Sequence, residues 1–167
     1  MWRIFGALSL GFLVTVTGIP IASARQVVSI SGYSPGTVIV KTRERSLYYV
    51  IGDGHAIRYP VGVGKSGKTW SGSAYIQGKY IRPAWSPPDE IRRDKPGIAD
   101  VIPSGSSRNP MGAAALVLDR GQYAIHGTNS PGSIGHFVSY GCIRMYNADI
   151  MDLFDRVSVG TNVVVLR

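Results

Sequence analysis

The chain has 167 residues, of which 44% are hydrophobic, and its 18 basic and 10 acidic side chains give a formal net charge of +8 at pH 7. This length allows one domain with a buried core and excludes two ordinary domains. A positive charge of this size suits nucleic acid or a polyanionic wall or membrane surface, and the scattered placement of the basic residues argues against nucleic acid.

Residues 1–24 have the three-part layout of a secretory signal peptide. Arg3 supplies the positive charge, an apolar run covers residues 4–19, and Ala22-Ser23-Ala24 places small side chains at the cleavage positions. The apolar run is shorter than the ~20 residues that a membrane-spanning helix needs, which favours a cleaved leader over an anchor. We therefore expect export to the periplasm and a mature domain of residues 25–167, which is 167 − 24 = 143 residues.

Short runs of β-branched and aromatic residues predict that the mature chain is mostly β. The predicted strands cover residues 37–42, 47–51, 56–63, 75–81, 113–118, 123–125 and 162–166. Gly52-Asp53-Gly54 is a tight-turn signal between the second and third runs, and it predicts an antiparallel hairpin there.

Two further segments complete the predicted fold. Residues 82–110 are rich in Pro, Arg and Gly and show no periodicity, so we expect a long ordered loop of the kind that is usually functional. After it, Ile150, Leu153, Phe154 and Val157 repeat at helical spacing, and Asn147 is placed to cap that helix. The sequence predicts one mostly-β domain with a single helix packed on it.

Two motif matches fail when their context is considered. Residues 62–67 match the dinucleotide pattern G-x-G-x-x-G, but no helix start follows and position 85 is Trp85 where an acidic residue is needed. His126, His136 and Cys142 are possible zinc ligands, but their spacing matches no compact ligand pair. We expect neither a nucleotide nor a metal, and no other cofactor.

Cys142 is the only cysteine of the chain, so no intramolecular disulfide can form. In an oxidising compartment a free thiol is open to oxidation, so it must be either buried and inert or present for its chemistry. A thiol is a weak nucleophile at neutral pH unless a base lies beside it.

His126 is the candidate base. It ends an apolar strand 142 − 126 = 16 residues before Cys142, a distance that a loop can fold back. Gly141 lets the backbone approach a substrate, and the amides of Gly141 and Cys142 are candidate oxyanion donors. No acidic residue lies nearby in sequence to orient His126, so the carbonyl of Gly127 is the expected partner. On the residues alone, a buried structural cysteine with a satisfied histidine remains an alternative.

The sequence also resembles a known family, the L,D-transpeptidases of the YkuD type. The resemblance rests on the segments His126-Gly-Thr-Asn129, Ile134-Gly135 and Ser139-Tyr-Gly-Cys-Ile-Arg-Met145, and it extends back through Leu47-Tyr48 and residues 59–64. It therefore covers most of the mature chain. It implies a small β-sandwich, with one helix after the cysteine, in which the cysteine lies in a groove beneath a mobile flap.

The resemblance implies roles for individual residues. Cys142 matches the nucleophile, His126 the base and Gly127 the orienting carbonyl. The amides of Tyr140, Gly141 and Cys142 match the oxyanion donors.

Ser139 and Arg144 match motif positions that we assign to substrate binding. If the loop is extended, Arg144 shares a face with Cys142 and can bind a stem-peptide carboxylate. The alternative for Arg144, a structural ion pair with Asp149 or Asp152, stays open at this point.

The chain departs from the family pattern at two places. Many members have His where this chain has Tyr140, and many have a Thr-Pro-x-Gly turn where this chain has Thr69-Trp-Ser-Gly72. A phenol is a poor base at neutral pH, so we expect the side chain of Tyr140 to be secondary to its backbone amide.

The family's activity is the function that the sequence predicts. Such enzymes cut peptidoglycan stem tetrapeptides after diaminopimelate through a cysteine thioester and pass the acyl group to an amine. The acceptor would be a second stem peptide, an outer-membrane protein or a free D-amino acid, and a carbapenem would acylate Cys142. A hydrolase using the same Cys142 and His126, and a non-catalytic wall-binding domain, are the alternatives.

Overall fold

The computed structural model describes residues 25–167, so the predicted leader lies outside the described residues. The strands are β1 (Gln26–Ser29), β2 (Val38–Lys41), β3 (Ser46–Gly52), β4 (His55–Pro60), β5 (Val63–Gly64), β6 (Gly72–Ile81), β7 (Ala114–Leu118), β8 (Ala124–His126), β9 (Phe137–Ser139), β10 (Ile143–Arg144) and β11 (Asn162–Leu166). The helices are α1 (Asp89–Asp94) and α2 (Asn147–Arg156), with a 3-10 turn at Pro131–Ser133.

Nine strands form one sheet in the order β1-β4-β3-β2-β11-β6-β7-β8-β10, and β5 pairs with β9 separately. The long strand β6 joins two halves of this sheet, because its first residues pair with β11 and its later residues pair with β7. The register shifts between Ile76 and Gly78, and such a bulge bends a strand and increases its twist.

Both halves of the sheet bury side chains in the same core. That core includes Val38, Leu47, Tyr59, Leu116, Ile125, Ile150 and Leu153. Since β2 to β4 and β7 to β8 face one shared interior, the sheet folds over itself as a sandwich, and the helix α2 packs against β7 and β8. The prediction of a mostly-β sandwich domain with one main helix is confirmed.

The predicted hairpin is present between β3 and β4. Gly52 pairs with His55, so Asp53 and Gly54 form a two-residue loop, and both have positive φ angles, of 51° and 72°. Two-residue hairpin loops favour positive φ at both central positions because that twist matches the flanking strands, and Asp-Gly meets this requirement.

Residues 82–110, called the flap below, contain regular structure where a loop was predicted. The helix α1 lies within the flap, and Trp85 pairs with Ile102 in an isolated antiparallel bridge. The buried side chain of Asn109 joins the end of the flap to its start: its amide nitrogen donates to the carbonyls of Pro83, Ile102 and Pro103 at 2.9, 3.3 and 3.1 Å.

The strand β1 was also not predicted.

The prediction that Asn147 caps α2 is wrong. The capping position is Tyr146, and no side chain caps the helix by a hydrogen bond. The side-chain oxygen of Asn147 instead accepts hydrogen bonds from the amides of Ala113 and Thr128, both at 3.0 Å, and its nitrogen donates to the Thr128 carbonyl. Asn147 therefore ties the segment after His126 to the start of β7.

Among the described residues, no helix has both the length and the apolar character needed to cross a membrane.

Asn147→Ala should lower the free energy of unfolding by about 1–2 kcal/mol, because two backbone amides lose their acceptor and one carbonyl loses its donor. Asn147→Asp keeps the oxygen acceptor but sets a second oxygen against the Thr128 carbonyl, so it should recover only part of the loss. Denaturant unfolding measures both values. Asp155→Ala, at an exposed position of the same helix, is the control and should stay within about 0.5 kcal/mol of wild type. If Asn147→Ala were as stable as wild type, Asn147 would not be stabilising the contact between the segment after His126 and the start of β7.

Candidate active site

The ends of two paired strands place His126 and Cys142 at one site. His126 is the last residue of β8, and β10 pairs with β8 in parallel, with Ile143 opposite Ile125 and Arg144 opposite His126. Cys142 directly precedes β10. His126, Cys142, Arg144, Ser139 and Tyr140 all line one cavity of about 830 Å³. The sequence-predicted side chains therefore meet in one place.

The cavity lies between the sheet and the flap. Ala115 and Val117 of β7 and the segment 121–124 line it from the sheet and the loop before β8. The flap lines it through Trp85, Pro88 and residues 89–91 of α1.

His126 is buried and neutral at ordinary pH. Burial, followed by the positive charge of Arg144, lowers the pKa of His126 from 6.5 to about 4. Its Nδ1 lies 2.6 Å from the carbonyl oxygen of Gly127. A carbonyl only accepts, so Nδ1 carries the proton and Nε2 is left as the basic nitrogen. The carbonyls of Gly127 and Pro110 act in the opposite direction to burial and favour the imidazolium once it forms.

Cys142 is half-buried and its resting form is the neutral thiol. Burial raises the pKa of the thiol, while a backbone hydrogen bond from Ala124 and the charge of Arg144 act to lower it. Since His126 is neutral and Cys142 is protonated, the resting site holds no thiolate–imidazolium pair. A nucleophilic attack by this thiol would therefore require a base to accept its proton.

Arg144 has no acidic partner among the described residues. Its Nε is buried without a hydrogen bond, and Asp152 is already paired with Arg156 at 2.8 Å and Arg25 at 2.7 Å. The alternative of an ion pair with Asp149 or Asp152 is therefore absent from residues 25–167. A half-buried cation that lines a cavity without an acidic partner is suited to bind an anion.

Ser139 fixes the backbone of residues 140–142, called the nucleophile loop below after the predicted role of Cys142. Its hydroxyl oxygen accepts from the amide of Gly141 at 3.1 Å and donates to the carbonyl of Cys142 at 2.5 Å. The Gly141 amide, predicted as an oxyanion donor, is thus already engaged in this structure. Within residues 25–167, no hydrogen bond occupies the amides of Tyr140 and Cys142, the other two predicted donors.

The side chain of Tyr140 contacts the flap. Its hydroxyl donates to a carboxylate oxygen of Asp94, at the end of α1, over 2.5 Å. Lys65 lies 3.7 Å from the centre of the Tyr140 ring and 3.7 Å from Asp94. Lys68 forms a second ion pair with Glu90 of α1. These contacts join the flap to the nucleophile loop and to the turn after β5.

Sequence reasoning missed Trp70 and Tyr123. The indole nitrogen of Trp70 donates to the carbonyl of Gly141 at 2.9 Å, and its ring stacks on Tyr123 with centroids 5.3 Å apart and planes at 8°. For Trp70 the sequence held a signal, because this residue stands where many members of the family have proline. The sequence alone does not show which backbone group that side chain contacts.

The rejected motifs have ordinary structural places. Residues 62–67 form β5 and a turn, with no helix after them. His136 is exposed and does not line the cavity. No three His, Cys, Asp or Glu side chains among the described residues are grouped so as to hold a metal ion.

The resting protonation state predicts how the thiol responds to pH. Because the thiol pKa is raised, the rate of Cys142 alkylation by iodoacetamide should rise steadily from pH 6 to pH 8, by about tenfold per unit, as the thiolate fraction grows. The chain has one cysteine, so mass spectrometry of the intact protein reports this site alone. Free N-acetylcysteine is the control. A reactive plateau below pH 6 would reveal a resting thiolate and contradict the neutral pair.

Comparisons with known proteins agree with this geometry. The family model for the L,D-transpeptidase catalytic domain, YkuD, matches residues 35–165. "Probable L,D-transpeptidase ErfK/SrfK" of Escherichia coli K12 is 38% identical over 138 residues, which are 77% of this chain and 43% of that protein. The chain thus spans less than half the length of this curated relative.

Solved structures share the fold. L,D-transpeptidase 3 from Mycobacterium tuberculosis, solved with a faropenem-derived adduct, aligns with a TM-score of 0.61 at 15% identity over 78% of this chain and 60% of that one. A Brucella melitensis structure named "Probable carnitine operon oxidoreductase caia" aligns with a TM-score of 0.59 at 38% identity over 89% and 96%. From the match across residues 35–165 together with the relatives, this chain belongs to the YkuD family of L,D-transpeptidase catalytic domains.

Proposed function

We propose that this chain cleaves peptidoglycan stem tetrapeptides after diaminopimelate and transfers the acyl group to an amine. One observation supports this most strongly: a single half-buried thiol shares a cavity with a buried neutral histidine whose Nδ1 faces the Gly127 carbonyl. That arrangement provides a nucleophile, a base and an orienting group for acyl transfer.

In the first half-reaction the thiol proton passes to Nε2 of His126 while Cys142 Sγ bonds to the carbonyl carbon between diaminopimelate and D-alanine. The electron pair of the carbonyl moves onto its oxygen, which the amides of Cys142 and Tyr140 stabilise. When the carbonyl re-forms, the C–N bond breaks and His126 returns the proton to the departing amine of D-alanine.

In the second half-reaction an acceptor amine attacks the thioester. His126 accepts a proton from that amine, a new amide bond forms, and the thiol of Cys142 is regenerated. The acceptor is a second stem peptide, an outer-membrane protein amine or a free D-amino acid. No step in this sequence uses a cofactor or a metal ion.

Arg144 is the proposed anchor for a stem-peptide carboxylate. Its buried Nε lacks a partner among the described residues, and the cavity that it lines also holds the nucleophile. A carboxylate there would neutralise the buried charge and form the bidentate contact for which a guanidinium is shaped. Ser139, by contrast, acts on substrate indirectly, through the loop backbone that it holds.

The two alternatives differ from this proposal in the products that they predict. A hydrolase differs only in letting water attack the thioester, and a wall-binding domain would need no basic histidine beside the thiol. The Brucella melitensis structure carries an oxidoreductase name. In this chain residues 62–67 open no helix, so they do not form the dinucleotide-binding motif that such a name would suggest.

The test uses a disaccharide tetrapeptide stem, alone or with D-methionine as a competing amine, and mass analysis of products. We expect release of D-alanine with formation of cross-linked dimer or D-methionine exchange product, and no product from Cys142→Ala. Tripeptide as the sole product would establish the hydrolase, and no product at all would refute catalysis on this substrate.

His126→Ala should slow the same reaction by roughly 10²- to 10⁴-fold. Arg144→Lys keeps the positive charge but loses the paired N–H donors of the guanidinium. Its KM should therefore rise about tenfold while kcat changes less than about threefold.

β-Lactams should acylate the same thiol, since a solved L,D-transpeptidase carries a faropenem-derived adduct and another was solved with imipenem. One imipenem equivalent should add to wild-type protein and none to Cys142→Ala.

We also propose that the chain is exported to the periplasm, on the evidence of residues 1–24. Sequencing of the protein recovered from its host's envelope should find the N-terminus within a residue or two of Arg25. Recovery of the intact Met1 form as the main species would overturn this.

A further inference from the structure

Three hydrogen bonds fix the peptide groups around Cys142. The amide of Gly141 donates to Ser139 Oγ, the carbonyl of Cys142 accepts from the same hydroxyl, and the carbonyl of Gly141 accepts from the indole nitrogen of Trp70. The third contact is the only one of these that acts on the peptide joining Gly141 to Cys142. That peptide carries the amide of Cys142, a proposed oxyanion donor.

The geometry of a peptide group links the two ends of this bond. The described residues contain no cis peptide, so the Gly141 carbonyl and the Cys142 N–H point in opposite directions in one plane. Holding the carbonyl of Gly141 toward Trp70 therefore directs the N–H of Cys142 away from Trp70. Rotation of this plane would turn the donor from the developing oxyanion.

Gly141 makes that rotation easy unless something resists it. Its φ angle of 123° lies in a region that residues with side chains rarely adopt, and glycine moves freely among such conformations. A Cβ at this position would lie 2.3 Å from the Tyr123 ring, so the glycine is also required for close packing. Because glycine itself does not restrict this orientation, the Gly141–Cys142 peptide must be held by its hydrogen bonds.

Trp70 is itself rigidly placed. It is buried, its ring stacks nearly parallel on Tyr123, and the guanidinium of Arg120 lies 5.0 Å from its ring centre. Aromatic stacking and a cation over the ring each stabilise the indole in one orientation. Tyr123 thus contacts both Trp70 and Gly141, and forms a continuous support from Arg120 to the nucleophile loop.

We propose that Trp70 is a positioning residue for the oxyanion site: its indole N–H holds the Gly141–Cys142 peptide so that the Cys142 amide faces the reacting carbonyl. The inference rests on the proposed acyl-transfer function. Its effect is confined to steps in which a carbonyl oxygen becomes negative, and the reactivity of the thiol itself does not depend on it.

Two reactions of Cys142 separate these effects. In imipenem acylation the thiol proton passes to His126 while Sγ bonds to the lactam carbonyl carbon and the electron pair moves onto oxygen. The carbonyl then re-forms, the ring C–N bond breaks, and His126 returns the proton to the ring nitrogen. Iodoacetamide alkylation forms a bond from Sγ to a methylene carbon, expels iodide and releases the thiol proton, without an oxyanion. A positioning role for Trp70 acts on the first reaction only, whereas loosened packing changes both.

The experiment measures both second-order rates by intact mass for wild type and Trp70→Phe, with folding checked by circular dichroism. Phe keeps a ring to stack on Tyr123 and removes the N–H. We expect acylation to slow by about 10- to 100-fold, which is less than the roughly 10²–10³ of a donor removed outright because the Cys142 amide is still present, with alkylation within about threefold of wild type. If Trp70→Phe does not fold, 3-benzothienylalanine introduced at position 70 replaces only the N–H by sulfur and tests the same bond.

The outcomes are distinct. Equal losses in both rates would show that Trp70 acts through packing, and unchanged rates would show that its hydrogen bond is unimportant; either result overturns the inference. A wild-type chain that is alkylated but never acylated would refute the proposed function, and the inference with it.

Discussion

The parallel pairing of β10 with the end of β8 is the contact on which the site depends. The amide of Met145 donates to the carbonyl of His126 at 2.8 Å, and Arg144 lies opposite His126 in the register. This pairing brings His126 to the same site as Cys142, which directly precedes β10, although Cys142 lies 142 − 126 = 16 positions after His126 in the chain. The segment between them must therefore close on itself, and Asn147 and Ser139 hold its two ends by side-chain bonds to backbone.

Burial determines the chemistry of that pair. It disfavours both the thiolate of Cys142 and the imidazolium of His126, so the charges arise only during reaction. The carbonyls of Gly127 and Pro110 then favour the imidazolium, and Arg144 favours the thiolate. A protonated resting thiol is also less open to oxidation than a thiolate. In the oxidising compartment proposed for this chain, a raised thiol pKa allows a lone cysteine to persist.

The parts of the fold that sequence could predict are those governed by local pattern. The hairpin at Asp53-Gly54 follows from turn geometry, and the buried positions of α2 follow from helical spacing. The short helix α1 has no buried residue, so it leaves no periodic signal, and β1 pairs along the edge of the sheet with exposed Val27. Such elements are stabilised by tertiary contacts that a local pattern does not contain.

The site likewise has features that the sequence reveals and features that depend on tertiary contacts. The motif around Cys142 and His126 indicated which residues meet, because their types carry the chemistry. The sequence did not reveal that Asn147 holds the segment after His126, since an Asn at a helix start is equally typical of a cap. Nor did it show that the Gly141 amide is engaged by Ser139, because a hydrogen bond between backbone and a hydroxyl two residues away depends on the turn taken between them.

The two departures from the family pattern meet at the loop 140–142: Tyr140 is its first residue, and Trp70 contacts it from the turn before β6. Tyr140 joins this loop to α1 of the flap through Asp94, and Trp70 holds the next carbonyl, that of Gly141. Lys65 and Lys68, which lie between β5 and Trp70 in the chain, form ion pairs with the same helix. The turn between β5 and β6 is thus bonded both to the flap and to the nucleophile loop. These bonds therefore link the backbone that carries Cys142 to the flap on one side and, through Trp70, to the turn between β5 and β6 on the other.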